Sequence, residues 1–127
     1  MKTILFAVLF VLMPLTAFSQ ETSLESSRSA SGITFRELPI ELQFIALCES
    51  GGRQSARGSY GEVGIMQLYP KYHLEPAKKL GFDIYNPNEN MAYALSLYKQ
   101  EGLTPWLSSS RCWSRQVAIV LKTRGVS

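Results

Sequence analysis

PIELQFIALCESGG, residues 39–52, decides the fold. Proline suits the opening turn of a helix, because its missing N–H would have no partner there. Two glycines at 51 and 52 supply the stop. Between them the spacing predicts a helix over residues 39–50, with Phe44, Leu47 and Cys48 on one face by the three-and-four rule. Glu49 lies one turn beyond Ile45, at the edge of that stripe and in the last turn. A carboxylate there meets the negative end of the helix dipole, and apolar neighbours further disfavour its charge. A carboxyl that holds its proton near neutral pH is what general acid catalysis needs. The plainer reading of Glu49 is a solvated residue at a helix end. The glycines beyond it let another backbone, or a substrate, come close.

Working outward, residues 51–64 carry five glycines together with Ser, Arg and Tyr60, which predicts a loop or a short β-hairpin. Residues 64–68 read as extended or as a short turn. Residues 76–80 read as a short helix closed by Gly81. The clearest helix comes next. Asn86 suits the N-cap, Pro87 the first position and Glu89 the capping-box position. Met91, Ala94, Leu95 and Tyr98 line one face, and Gly102 ends it. Pro105 and Trp106 open a loop. A last helix over residues 111–124 turns Trp113, Val117, Val120 and Leu121 inward. The pattern is a small, mainly α (α+β) domain with one Gly-rich insert after the Glu-bearing helix.

The chain of 127 residues has room for one domain. Lys2, the apolar run 4–15 and Ala17-Phe18-Ser19 read as a signal peptide over residues 1–19. The run is short for a span of roughly 20 residues, so no stable membrane span is expected after cleavage. Residues 20–34, QETSLESSRSASGIT, read as a flexible Ser-rich leader, and residues 35–127 as the folded part. Export to the periplasm or beyond makes Cys48 and Cys112, the only two cysteines, a disulfide candidate; two separate buried thiols are the alternative. Two cysteines and the single His73 do not make a closed zinc site, and no metal or cofactor is implied. The net charge is +3, or +2 once Lys2 is removed, too weak a balance to indicate nucleic acid.

Export together with a sheltered glutamate points to glycosidic cleavage of a wall polysaccharide. Residues 46–113 resemble the soluble lytic transglycosylase family, of lysozyme-like fold. The matching pieces are Glu49-Ser50 at a helix end, then Gly64-Ile65-Met66-Gln67, then Asn90-Met91 opening the next long helix. The resemblance implies cleavage of the β-1,4 bond between N-acetylmuramic acid and N-acetylglucosamine in peptidoglycan. Glu49 would be the single acid/base, and the muramyl C6 hydroxyl the nucleophile that closes a 1,6-anhydro ring. It also implies Ser50 as an orienting donor, Gln67 directed at the sugar, Met66 in the cleft wall, and Asn90 in support of the cleft. Tyr60, Tyr93 and Trp106 suit stacking on sugar rings, although Tyr93 and Trp106 suit a core equally well. Peptidoglycan strands are the expected partner, with room for a partner in cell-envelope assembly.

Two departures stand out. Ala94, Leu97 and Tyr98 match the family's pattern late in that helix imperfectly. The Ala-Tyr-Asn element whose Tyr touches the catalytic Glu is missing, and SSSRCWSRQ (108–116) occupies its region. A Cys48–Cys112 bridge would pin that segment beside Glu49 and bring Ser109, Ser110 or Trp113 to the acid. Three alternatives stay open. One is a hydrolase of the same bond, with Glu62, the only acid in the Gly-rich loop, as base. Another is a non-catalytic peptidoglycan-binding or assembly module on the same scaffold. The last is a secreted helical protein of unrelated role.

Overall fold

The computed structural model describes residues 32–125; the expected signal peptide and nearly all of the expected leader lie outside the described residues. Residues 33 and 34, the end of that expected leader, are already engaged. Ile33 N donates to Asn88 O at 3.1 Å, and Thr34 joins Glu37 in a capping box around a 3-10 turn, Phe35–Glu37.

Helix α1, Ile40–Ser50, follows Pro39 and ends at Gly51. The Gly51 φ of 65° is the left-handed cap that glycine adopts without strain. The core face of α1 is Leu42, Ile45 and Ala46, all fully buried, whereas Leu47 is 51% exposed. The stripe expected from spacing is therefore rotated. Residues 44–48 are apolar without interruption, so periodicity chooses no face there. Phe44 and Cys48 pack only on the rim of the core.

Helix α2, Pro70–Lys79, starts six residues before the expected position, with Pro70 in its first turn and Pro76 inside it. The interior proline had suggested a start; the start signal belongs to Pro70. Helix α3, Pro87–Glu101, has the expected limits, and Asn86 Oδ1 accepts from Asn88 N and Glu89 N at 3.0 and 3.2 Å. Of the expected face Met91 and Ala94 are buried, while Leu95 and Tyr98 are partly buried and Tyr93 and Leu97 turn inward with Asn90. Glu89 does not close the capping box; its Oε2 accepts from Asp83 N at 2.7 Å. Residues read as a loop form a 3-10 segment, Thr104–Ser109, which runs straight into helix α4, Ser110–Thr123.

The domain is mostly helical, as expected. Helices α1 and α4 pack against each other, and the 3-10 segment is wedged among α1, α3 and α4. The Gly-rich insert forms no named strand among the described residues; its pairing is two isolated bridges, Arg57 with Val63 and Val63 with Leu68. Cys48 and Cys112 form the disulfide, with Cα atoms 5.9 Å apart, and so tie the end of α1 to the start of α4. On a chain-entropy estimate a loop of that length stabilises by about 4 kcal/mol.

Candidate active site

Each residue of the 64–67 motif has a structural reason. Gly64 has a φ of 76°. A Cβ there would lie 2.5 Å from the Asn90 amide nitrogen, so only glycine fits. Asn90 is fully buried and binds backbone on three sides. Its Nδ2 donates to Val63 O at 3.1 Å and Ile84 O at 2.8 Å, and its Oδ1 accepts from Met66 N at 3.2 Å. Ile65 O accepts from the buried Ser50 hydroxyl at 2.8 Å, and Met66 O accepts from Trp106 Nε1 at 3.3 Å. The loop is thus pinned from α1, α3 and the 3-10 segment. Gln67 then takes a φ of 48°, a strained value for a residue with a side chain. It turns into the cleft, where its Nε2 donates to Gly64 O at 2.8 Å.

The cleft has a volume of about 250 Å³. It is lined by Glu49, Glu62 and Gln67, by Tyr69 at the N-cap of α2 with Tyr72 and His73 within it, and by Pro105, Trp106 and Ser108. Glu49 is half-buried at the end of α1, with no cation paired to it among the described residues. Desolvation raises its pKa; a hydrogen bond from Ser109 opposes this, and the negative charge of Glu62 adds to it. Ser109 Oγ lies 2.5 Å from Glu49 Oε1 and accepts from Trp113 Nε1 at 3.0 Å. Of the three residues expected near the acid, Ser109 touches it, Trp113 reaches it through Ser109, and Ser110 makes no such contact.

The structure sorts the other residues singled out in the sequence. Gln67 and Trp106 meet Glu49 at the cleft. Ser50, Met66 and Asn90 do not line it: all three are buried, and their polar groups hold the loop. Tyr93 is 2% exposed beneath the wall, with its hydroxyl 3.3 Å from His73 Nδ1. Burial depresses the His73 pKa and raises that of Tyr93, so both members of that pair are favoured in their neutral forms. Tyr60 is 80% exposed and outside the cleft, although Glu62 Oε2 accepts from its N–H at 3.0 Å. Sequence reasoning missed Tyr69, Tyr72 and His73. The signal was Pro70, which starts a helix that brings Tyr72 and His73, with Tyr69 at its N-cap, to the cleft.

No curated protein and no solved structure gives a significant match. The family model described as Transglycosylase SLT domain matches residues 30–102. That span holds α1 with Glu49, the Gly-rich insert, α2 and α3, and it stops before the 3-10 segment and α4. Covering more than half of the sequence, the match shows that the chain belongs to the transglycosylase SLT domain family.

Proposed function

We propose that this chain cleaves the β-1,4 bond between N-acetylmuramic acid and N-acetylglucosamine in peptidoglycan, with Glu49 as the single general acid/base. SLT domains in general act as transglycosylases on peptidoglycan, in the cell envelope. A disulfide fits an oxidising, exported setting. No helix among the described residues is long and apolar enough to cross a membrane. The observation that carries the finer reading is Glu49 itself: a carboxyl at the wall of a cleft, desolvated, facing Glu62 and lacking a cation, so that its neutral form is favoured.

Neutral Glu49 gives its proton to the bridging oxygen as the bond to the muramyl C1 breaks. The resulting carboxylate takes the proton of the C6 hydroxyl, whose oxygen closes on C1 to give the 1,6-anhydro product. The substrate supplies its own nucleophile, and holding it in place replaces a second catalytic carboxylate. Tyr69 and Tyr72 stand edge to face on the cleft wall, their ring centroids 5.3 Å apart. They offer apolar faces to sugar rings, and Trp106 also lines the cleft. Gln67 donates or accepts at the sugar, while Ser50, Met66 and Asn90 hold the loop that carries it.

Glu62 in the same cleft favours a second reading, hydrolysis with Glu62 activating water. Digestion of purified sacculi separates the outcomes by product mass. Anhydro products, one water lighter than hydrolysed ones, support transglycosylation; hydrated ends support the second reading. Sacculus binding without released fragments leaves only a wall-binding module.

A further inference from the structure

Ser109 occupies the N-cap position of α4, where serine normally accepts a hydrogen bond from the first turn, yet its side chain makes no cap. Its Oγ sits among three other groups. Trp113 Nε1 donates to it at 3.0 Å, Trp106 O lies at 3.0 Å, and Glu49 Oε1 at 2.5 Å. An indole N–H can only donate; this one is shared between Oγ and Trp106 O, at 3.2 Å, and it occupies one lone pair of Oγ. The single hydroxyl proton is left for the carbonyl or for the carboxyl. Glu49 Oε2 has no hydrogen-bond partner among the described residues. The one fully buried side-chain N or O atom without a partner among them is Glu41 Oε2, so Glu49 Oε2 is reached by solvent, on a residue that lines the cleft.

We propose that Ser109 is a positioning residue: by donating to Oε1 it keeps the proton of neutral Glu49 on Oε2, the oxygen that faces substrate, and Trp113 fixes the direction of that donation. This rests on the reading of Glu49 as the acid. The proton leaves Oε2 for the bridging oxygen, which also takes both electrons of the breaking bond to C1. The new negative charge is shared with Oε1, where the Ser109 bond strengthens. Oε2 then receives the C6 hydroxyl proton, and Ser109 ends with the proton it began with. Without the donor, the proton can settle on Oε1 and point away from substrate. The whole device lies beyond residue 102, where the family match stops, and the Cys48–Cys112 bridge brings it to Glu49.

Other charged groups near the site are on different elements. Glu62 acts on Glu49 from the loop, and His73 and Tyr72 of α2, with Tyr69 at its N-cap, share the cleft. On α4, Arg111, Arg115 and Lys122 are exposed and Arg124 pairs with Glu41. From α3, Glu101 acts on His73. None of these is altered in the variants that test the proposal.

Those variants are Ser109→Ala, Ser109→Thr and Trp113→Phe. Each is read by carbon NMR titration of the Glu49 carboxyl in the free protein, and by the pH dependence of kcat on purified glycan strands. In Ser109→Ala, loss of the donor moves the Glu49 titration to higher pH, and kcat falls roughly 10- to 100-fold with KM little changed. Threonine, which keeps the hydroxyl, restores most of both. Trp113→Phe shifts both in the same direction by less. A Ser109→Ala protein with the wild-type titration and kcat overturns the proposal; if that variant does not fold, wild-type values in Trp113→Phe overturn it. If Glu49→Gln is fully active, the acid assignment fails, and the titration in Ser109→Ala still decides whether Ser109 governs the Glu49 proton.

Discussion

Helix α1 carries two sheltered glutamates, two turns apart, and they are treated in opposite ways. Glu41 lies in the first turn, where the helix dipole favours negative charge. It is 2% exposed, and its Oε1 accepts from Arg124 Nη1 at 2.8 Å. Glu49 lies in the last turn, where the dipole opposes charge, with a hydroxyl as its partner and the like charge of Glu62 acting on it. One carboxylate is neutralised by a cation from the end of α4. The other is denied a cation, and α4 brings it a serine and an indole instead. Burial alone therefore does not make a proton donor; what the opposing helix presents to each end of α1 decides.

The comparison breaks most sharply at Glu49. Glu49→Gln keeps the shape and the acceptor for Ser109 but removes the titratable proton, so glycan cleavage falls by about 10³-fold or more, read as released product from sacculi. Stability moves the other way. A raised carboxyl pKa means the native state binds the proton more tightly than the unfolded chain does. Native stability is therefore lost as pH rises from the unfolded to the folded pKa, and stays lost above both. At neutral pH the Gln variant melts at least as high as wild type. A clear drop in melting temperature would mean Glu49 is a structural group like Glu41.

The tie between α1 and α4 comes next. Replacing both Cys48 and Cys112 by Ala costs up to about 4 kcal/mol in denaturant unfolding and lowers activity of the folded fraction, because Ser109 is no longer held at Glu49. Arg124→Ala tests the other end. It leaves Glu41 buried with neither oxygen paired, a cost of about 1–3 kcal/mol, below that of a fully buried pair because Arg124 is half-exposed. Activity per folded molecule stays at the wild-type level. Equal loss of activity in the two variants would erase the distinction between the ends of the helix.

Much of this was legible in the sequence. Proline and glycine marked both ends of α1, Asn86-Pro87 marked the start of α3, and the Glu-Ser, Gly-Ile-Met-Gln and Asn-Met pieces appeared in working order. Roles within those pieces were less visible. The family resemblance implies Ser50 as an orienting donor, Met66 in the cleft wall and Asn90 in support of the cleft. In the structure the side chains of Ser50 and Asn90 bind backbone, and the backbone of Met66 is held by Asn90 and Trp106. Backbone acceptors carry no sequence signature, so that use is invisible before folding. The rotated face of α1 was hidden by its unbroken apolar run. The aromatic wall of α2 was hidden by Pro76, which drew attention from Pro70. The pairing of Glu41 with Arg124 joins the first helix to the end of the last and has no local pattern at all.

The finest distinction concerns Glu62. Its charge raises the Glu49 pKa through space. Glu62→Gln removes that like charge, so Glu49 loses its proton at a lower pH. As an acid, Glu49 acts only while protonated, so the alkaline limb of the pH–rate profile moves to lower pH while the rate on its acid side changes little. Glu62 Oε2 accepts from Tyr60 N–H at 3.0 Å. The Gln oxygen can accept the same bond, so the loop keeps its shape. If Glu62 instead activates water, the same substitution abolishes turnover at every pH. A modest shift of one limb therefore leaves Glu49 working without a second carboxylate, and a flat loss assigns the chemistry to the pair.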